Sequence, residues 1–169
     1  MLCYLFFQAI ARALVLPFFG TEKHQGKTKS DTLFIKKRTA EVNTNPDSGF
    51  IATNSPVFTS RTRLATVKKI EKKDSAMNGY DNFDMPKYDI TIKNKYKNFS
   101  YPELVVVIDH KGKINYLYSM WKPADGGNET IKVILDNYVK TYFTVTPGNT
   151  LGVNHNSYAF INLKGVLED

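Results

Sequence analysis

The sequence predicts an α+β domain over residues 88–169, a small antiparallel sheet carrying one helix, and three observations lead there. From Tyr88 to Lys97 the side chains alternate. Tyr88, Ile90, Ile92 and Tyr96 point one way, and Asp89, Thr91, Lys93, Lys95 and Lys97 the other, the two-residue period of a half-buried strand. Two apolar runs, ELVVVI and INYLYSMW, are joined at Asp109-His110-Lys111-Gly112-Lys113, where Gly112 supplies the positive φ that a tight hairpin needs. Farther on, Ile131, Ile134, Leu135, Tyr138 and Tyr142 form one continuous stripe at helical spacing.

The chain divides into three parts. Residues 1–20, MLCYLFFQAIARALVLPFFG, are apolar apart from Gln8 and Arg12, which lie four apart on one helical face, and the stretch ends at Pro17 and Gly20. It reads as a membrane anchor or uncleaved signal; a targeting helix, or a helix packed on another subunit, are the other readings. Residues 21–87 read as a basic, weakly structured arm. They mix charge with turn formers such as Asn45-Pro46-Asp47 and Asn54-Ser55-Pro56, and only Thr32–Lys36 and Arg63–Ile70 have the character of strands added to a sheet edge. The formal net charge is +7, and its excess sits on this arm: 13 Lys/Arg against 8 Asp/Glu in residues 20–87, but 9 against 8 in residues 88–169. Such an arm is a solvated tether, or it lies along phosphates of nucleic acid or of a membrane surface. Breakers at Asn78-Gly79 and Pro86 mark the boundary of the folded domain.

Within that domain the elements follow in order. The strand at 88–97 is succeeded by the hairpin at 103–121 and the loop KPADGGN. A helix at 129–141 comes next, with Asn128 as its cap and Glu129 and Lys140 placed to suit the helix dipole. Its β-branched residues leave a strand open at this point, and with it the alternative of an all-β sandwich or jelly roll. Pro147-Gly148 makes a turn, Asn154–Asn156 a second, and residues 157–164 a closing strand.

Ile108-Asp109, Lys111-Gly112-Lys113, the strand Ile114–Met120, the helix, Phe143 to Pro147-Gly148, Gly152 and the alternating strand Ser157–Leu163, preceded by Tyr101-Pro102, together resemble the carboxy-terminal domain of TonB-type energy transducers. The resemblance spans about residues 101–165. It implies a module anchored in a membrane by its apolar amino terminus, reaching through the periplasm or cell envelope on its arm, and capturing another protein by strand pairing. The strand implied to receive that partner is Ser157, Tyr158, Ala159, Phe160, Ile161 and Asn162, on the expectation that it lies at a sheet edge.

Catalytic chemistry has no positive support in the sequence. Asp109 and His110 sit at the hairpin turn and His155 at the turn between Asn154 and Asn156, where polar residues belong for solubility. Cys3 is the sole cysteine, and His24, His110 and His155 show no metal-ligand spacing, so no metal site and no cofactor are expected. The Gly126-Gly127 pair lacks the Lys and Ser/Thr of a phosphate loop. Tyr96, Tyr116, Tyr118 and Trp121 interleaved with Lys93, Lys95 and Lys97 would suit base stacking, but aromatic residues at strand spacing more often fill a core, so nucleic acid is a disfavoured partner. The alternative reading of function is a structural subunit of a capsid, organellar or ribonucleoprotein assembly, with the arm threaded between neighbours.

Overall fold

A strand that closes a sheet in sequence need not close it in space, and here residues 157–167 run through its middle. The structure, a computed structural model, describes residues 28–71, 85–121 and 127–167. The apolar stretch 1–20, the breaker Asn78-Gly79 and the loop at 122–126 lie outside the described residues. The described elements are α1 (Lys29–Val42), β1 (Val57–Ser60), β2 (Ala65–Ile70), β3 (Lys87–Asn94), β4 (Phe99–Ile108), β5 (Ile114–Ser119), a helix α2 from Gly127 to Tyr142, β6 (Phe143–Thr146), β7 (Asn149–Thr150), β8 (Val153–Asn154) and β9 (Ser157–Leu167). The fold is α+β.

The main sheet has the order β2-β3-β9-β4-β5. It is mixed, not purely antiparallel as expected, because β3 and β9 pair in parallel while the other pairs are antiparallel. Leu104, Val106 and Ile108 of β4, Ile90 and Ile92 of β3 and Ala159, Ile161 and Leu163 of β9 share one face, which carries the core against Ile131, Leu135 and Val139 of α2. The opposite registers, Val105 and Val107, are buried as well. That is why ELVVVI reads as an unbroken apolar run.

The expected helix at 129–141 is present, and with it the sandwich alternative falls away. One detail departs from a plain α-helix. At Leu135–Val139 it widens into a π turn, with Lys140 N–H bonded to Leu135 O. The extra residue moves the buried position from Tyr138, which the stripe predicts, to Val139, which is fully buried.

Residues 28–71 correct the expectation of a weakly structured arm. Thr28 caps α1 in a reciprocal box, its hydroxyl accepting from Asp31 N–H and Asp31 Oδ2 accepting from Thr28 N–H, both at 3.1 Å. The stretch Thr32–Lys36, expected as a strand, is therefore helical. The expected strand at Arg63–Ile70 forms as β2, pairing with β3, and β1 pairs with β6. Phe58 and Ala65 enter the same core as Ile90 and Leu163, so the folded unit begins well before Tyr88.

Candidate functional site

The candidate edge residues occupy the centre of the sheet, which corrects the expectation that they are open to a partner. Ser157, Tyr158, Ala159, Phe160 and Ile161 pair with Ile108, Val107, Val106, Val105 and Leu104 of β4, and Phe160, Ile161 and Asn162 pair on the other side with Lys87, Tyr88 and Asp89 of β3. Below that ladder Phe50 N–H donates to Asn156 O at 3.1 Å and Phe160 N–H to Pro86 O at 2.9 Å. The alternation of Tyr158, Phe160 and Asn162 with buried neighbours shows only that one face is drier than the other, and a central strand shows it as readily as an edge.

Among the described residues the edges of the main sheet are β2 and β5. Lys68 and Lys69 are exposed on β2, and lysines there discourage further pairing. Strand β5, Ile114–Ser119, has no charged residue. The turn before it is held tightly: Asp109 N–H donates to Lys113 O, and Asp109 Oδ1 accepts from Lys111 and Lys113 N–H, all at 2.8 Å. Gly112 sits at φ 86°, where a Cβ would come within 2.1 Å of Val145 O, so the turn role assigned to it holds. With Lys113 bonded to β4, the alternation of an antiparallel ladder turns the N–H and C=O of Asn115 inward and those of Ile114 and Tyr116 outward.

A groove of about 530 Å³ follows this edge. Lys113 to Leu117 form its floor, Pro46 and Asp47 one wall, and Lys132, Leu135 and Asp136 of α2 the other. Asn115 Nδ2 holds the first wall in place through Pro46 O at 3.3 Å. Leu117 is an extra residue opposite the Val105–Val106 step, a bulge that limits regular pairing to the amino-terminal half of β5. The lysines at 113 and 132 are balanced by Asp47 and Asp136, so the groove has no dominant charge.

Two predicted turns are more than turns. Pro147-Gly148 links β6 to β7, but Gly148 is buried, and a Cβ there would meet Ala52 Cβ at 2.7 Å and Ser157 Oγ at 2.8 Å. His155, expected at a solvent-facing turn, is fully buried and stacked on Phe50 at 3.5 Å between ring centroids. Its Nδ1 donates to Asn156 O and its Nε2 lies against the Thr150 hydroxyl, each at 2.9 Å, and the neutral ring accepts that second bond at Nε2. Burial, followed by the nearby Arg38 charge, holds this imidazole below its usual range. His110 stays at the hairpin turn, where its N–H donates to Asn156 Oδ1. Among the described residues no three His, Cys, Asp or Glu side chains gather as metal ligands, and no helix is long and apolar enough to cross a membrane.

The bulge between Tyr101 and Leu104 on β4 carries a feature that the sequence did not announce. Glu103 has φ 50°, a left-handed conformation costly for a side chain of its type. Its N–H donates to Asn162 Oδ1 at 2.9 Å. Its carboxylate accepts from Lys87 Nζ at 2.7 Å and from Trp121 Nε1 at 2.8 Å, and these two bonds hold its pKa below the usual carboxylate range. In comparisons with family models, curated proteins and solved structures, the chain matches none.

Proposed function

We propose that this chain is a non-enzymatic protein-interaction module, tethered at a membrane by its apolar residues 1–20, that captures an extended segment of another protein as a further strand on β5. The observation that carries this reading is the uncharged, outward-facing edge at Ile114–Tyr116, lining a groove between the Pro46 loop and α2. Affinity comes from backbone bonds to the outward N–H and C=O groups, and selectivity from what fits between Pro46 and Leu135. The five-residue floor spans about 16 Å at strand rise, enough for a short pairing. The TonB-like resemblance of residues 101–165 supports the same mode of capture, with the receiving strand moved from residues 157–162 to β5.

Peptides selected from a random library on the whole chain test this. Ile114→Pro removes an outward donor while Ile114→Val keeps it, and an edge proline is tolerated where its missing N–H faces solvent. The selected peptides are expected to bind Ile114→Pro at least about tenfold more weakly than Ile114→Val, a difference of about 1.4 kcal/mol. They should also slow amide exchange at Ile114 and Tyr116. Equal binding to the two variants, or protection confined to other strands, refutes the proposal.

A further inference from the structure

We propose a second binding site, independent of the β5 edge, at the Glu103 bulge: a pocket for a neutral saccharide, with one pyranose ring laid on the face of Trp121. The pocket has a volume of about 490 Å³ and is lined by Lys87, Ser100, Glu103, Trp121, Asn162 and Lys164, among others. That volume lies within the range of small-molecule sites, about 300–1,000 Å³.

Three features select the ligand class. Trp121 is 62% exposed, yet its indole is fixed through the bond from Nε1 to Glu103 Oε2. An exposed aromatic face pinned at its edge is a ready platform for the C–H face of a sugar, and it loses little side-chain freedom on binding. Around it stand both kinds of hydrogen-bonding group that hydroxyls require. Lys87 and Lys164 donate, the Ser100 hydroxyl does both, and each Glu103 oxygen has one of its two acceptor positions taken by the bonds described, leaving the other. Finally, the charge is balanced. Lys87 and Lys164 are offset by Glu103 and by Asp89, which accepts from Asn162 Nδ2 at 2.7 Å behind the pocket. A polyanion or a strongly cationic peptide gains nothing net here.

The backbone supports the same assignment. Glu103 is kept at positive φ by its bonds to Asn162, Lys87 and Trp121 together, the condition under which strained conformations persist at binding sites.

Trp121 is the chain's single tryptophan, so its emission reports on this site alone. The whole chain is titrated with cellotriose, maltotriose and chitotriose, and in parallel with dextran sulfate and a short oligonucleotide. The expected result is a saturable blue shift with at least one neutral sugar and none with the two polyanions. By calorimetry, Trp121→Ala should lose at least about tenfold in affinity for that sugar and Trp121→Phe should restore most of it. Ile114→Pro should bind it as the parent does, which separates this site from the β5 edge. No response to any of the three neutral sugars up to about 10 mM, the weak end of measurable affinity, overturns the assignment. So does a response to the polyanions only, or sugar binding that survives Trp121→Ala.

Discussion

The side-chain amide of Asn156 donates to the backbone carbonyl of Asn45 at 3.1 Å, a bond between residues 111 apart in the chain. The same amide donates to Val42 O at 3.3 Å, a carbonyl at the end of α1 that also accepts from Asn45 N–H at 3.1 Å. Its Oδ1 accepts from His110 N–H and its own N–H donates to Asn43 Oδ1. One buried residue at the start of β9 thus joins the end of α1, the loop at Asn45 and the β4–β5 turn.

Asn156→Ala should therefore cost about 1.5 to 4 kcal/mol, since it removes three part-buried hydrogen bonds at once. Urea unfolding measures the loss. Amide exchange should show it concentrated in residues 42–50, which rely on Asn156 most directly.

At Gly112 even the smallest side chain is excluded. Gly112→Ala places a Cβ 2.1 Å from Val145 O and adds the penalty of positive φ, so the loss should be about 2 to 4 kcal/mol, well beyond a surface substitution. Unfolding of the variant at the parent's denaturant midpoint would contradict the tight approach of this turn to β6.

Stability should fall as the pH drops below about 6.5, the ordinary value at which histidine takes up its proton in the unfolded chain. Folded His155 is held neutral by burial, so between that pH and its lower folded value the unfolded chain binds more protons, and folding weakens. Comparing urea midpoints at pH 7.5 and pH 5 follows this change, because Glu103, held below the usual carboxylate range by Lys87 and Trp121, loses its contribution mainly at lower pH. His155→Gln should flatten the pH dependence over that interval.

Leu135 opens the π turn and is buried against the sheet, while Lys132, three residues earlier, is exposed in a surface pair with Glu129. Leu135→Ala should lose about 2 to 5 kcal/mol and Lys132→Ala under about 0.5. Thermal or urea unfolding of the two variants checks the contrast.

What was legible in the sequence was local. Gly112 after Asp109 announced the hairpin, because one residue had to supply positive φ, and the spacing from Ile131 to Leu135 announced the helix. The phase of that helix beyond Leu135 was not legible, since a π turn answers to packing against the sheet. Helix α1 was overlooked although Thr28 and Asp31 stand at capping-box spacing, because its polar sequence has no apolar stripe. The central place of β9 could not be read at all. Edge or centre depends on which strands arrive on either side, and Tyr158, Phe160 and Asn162 alternate in the same way in both cases. The Glu103 pocket was hidden for a related reason, as Lys87, Glu103, Trp121 and Asn162 come from four separate stretches.

The position of β9 also sets a timetable. The β2–β3 and β4–β5 pairs are both synthesised before it, yet no ladder joins one pair to the other until β9 enters between them. A ribosome-bound chain can hold two hairpins but no continuous sheet, with Ile90, Leu104 and Val106 lacking the neighbours that bury them. Folding of this sheet is therefore completed only once the stretch after Asn156 has been released, and until then its unfinished inner edges are open to chaperones and to neighbouring chains.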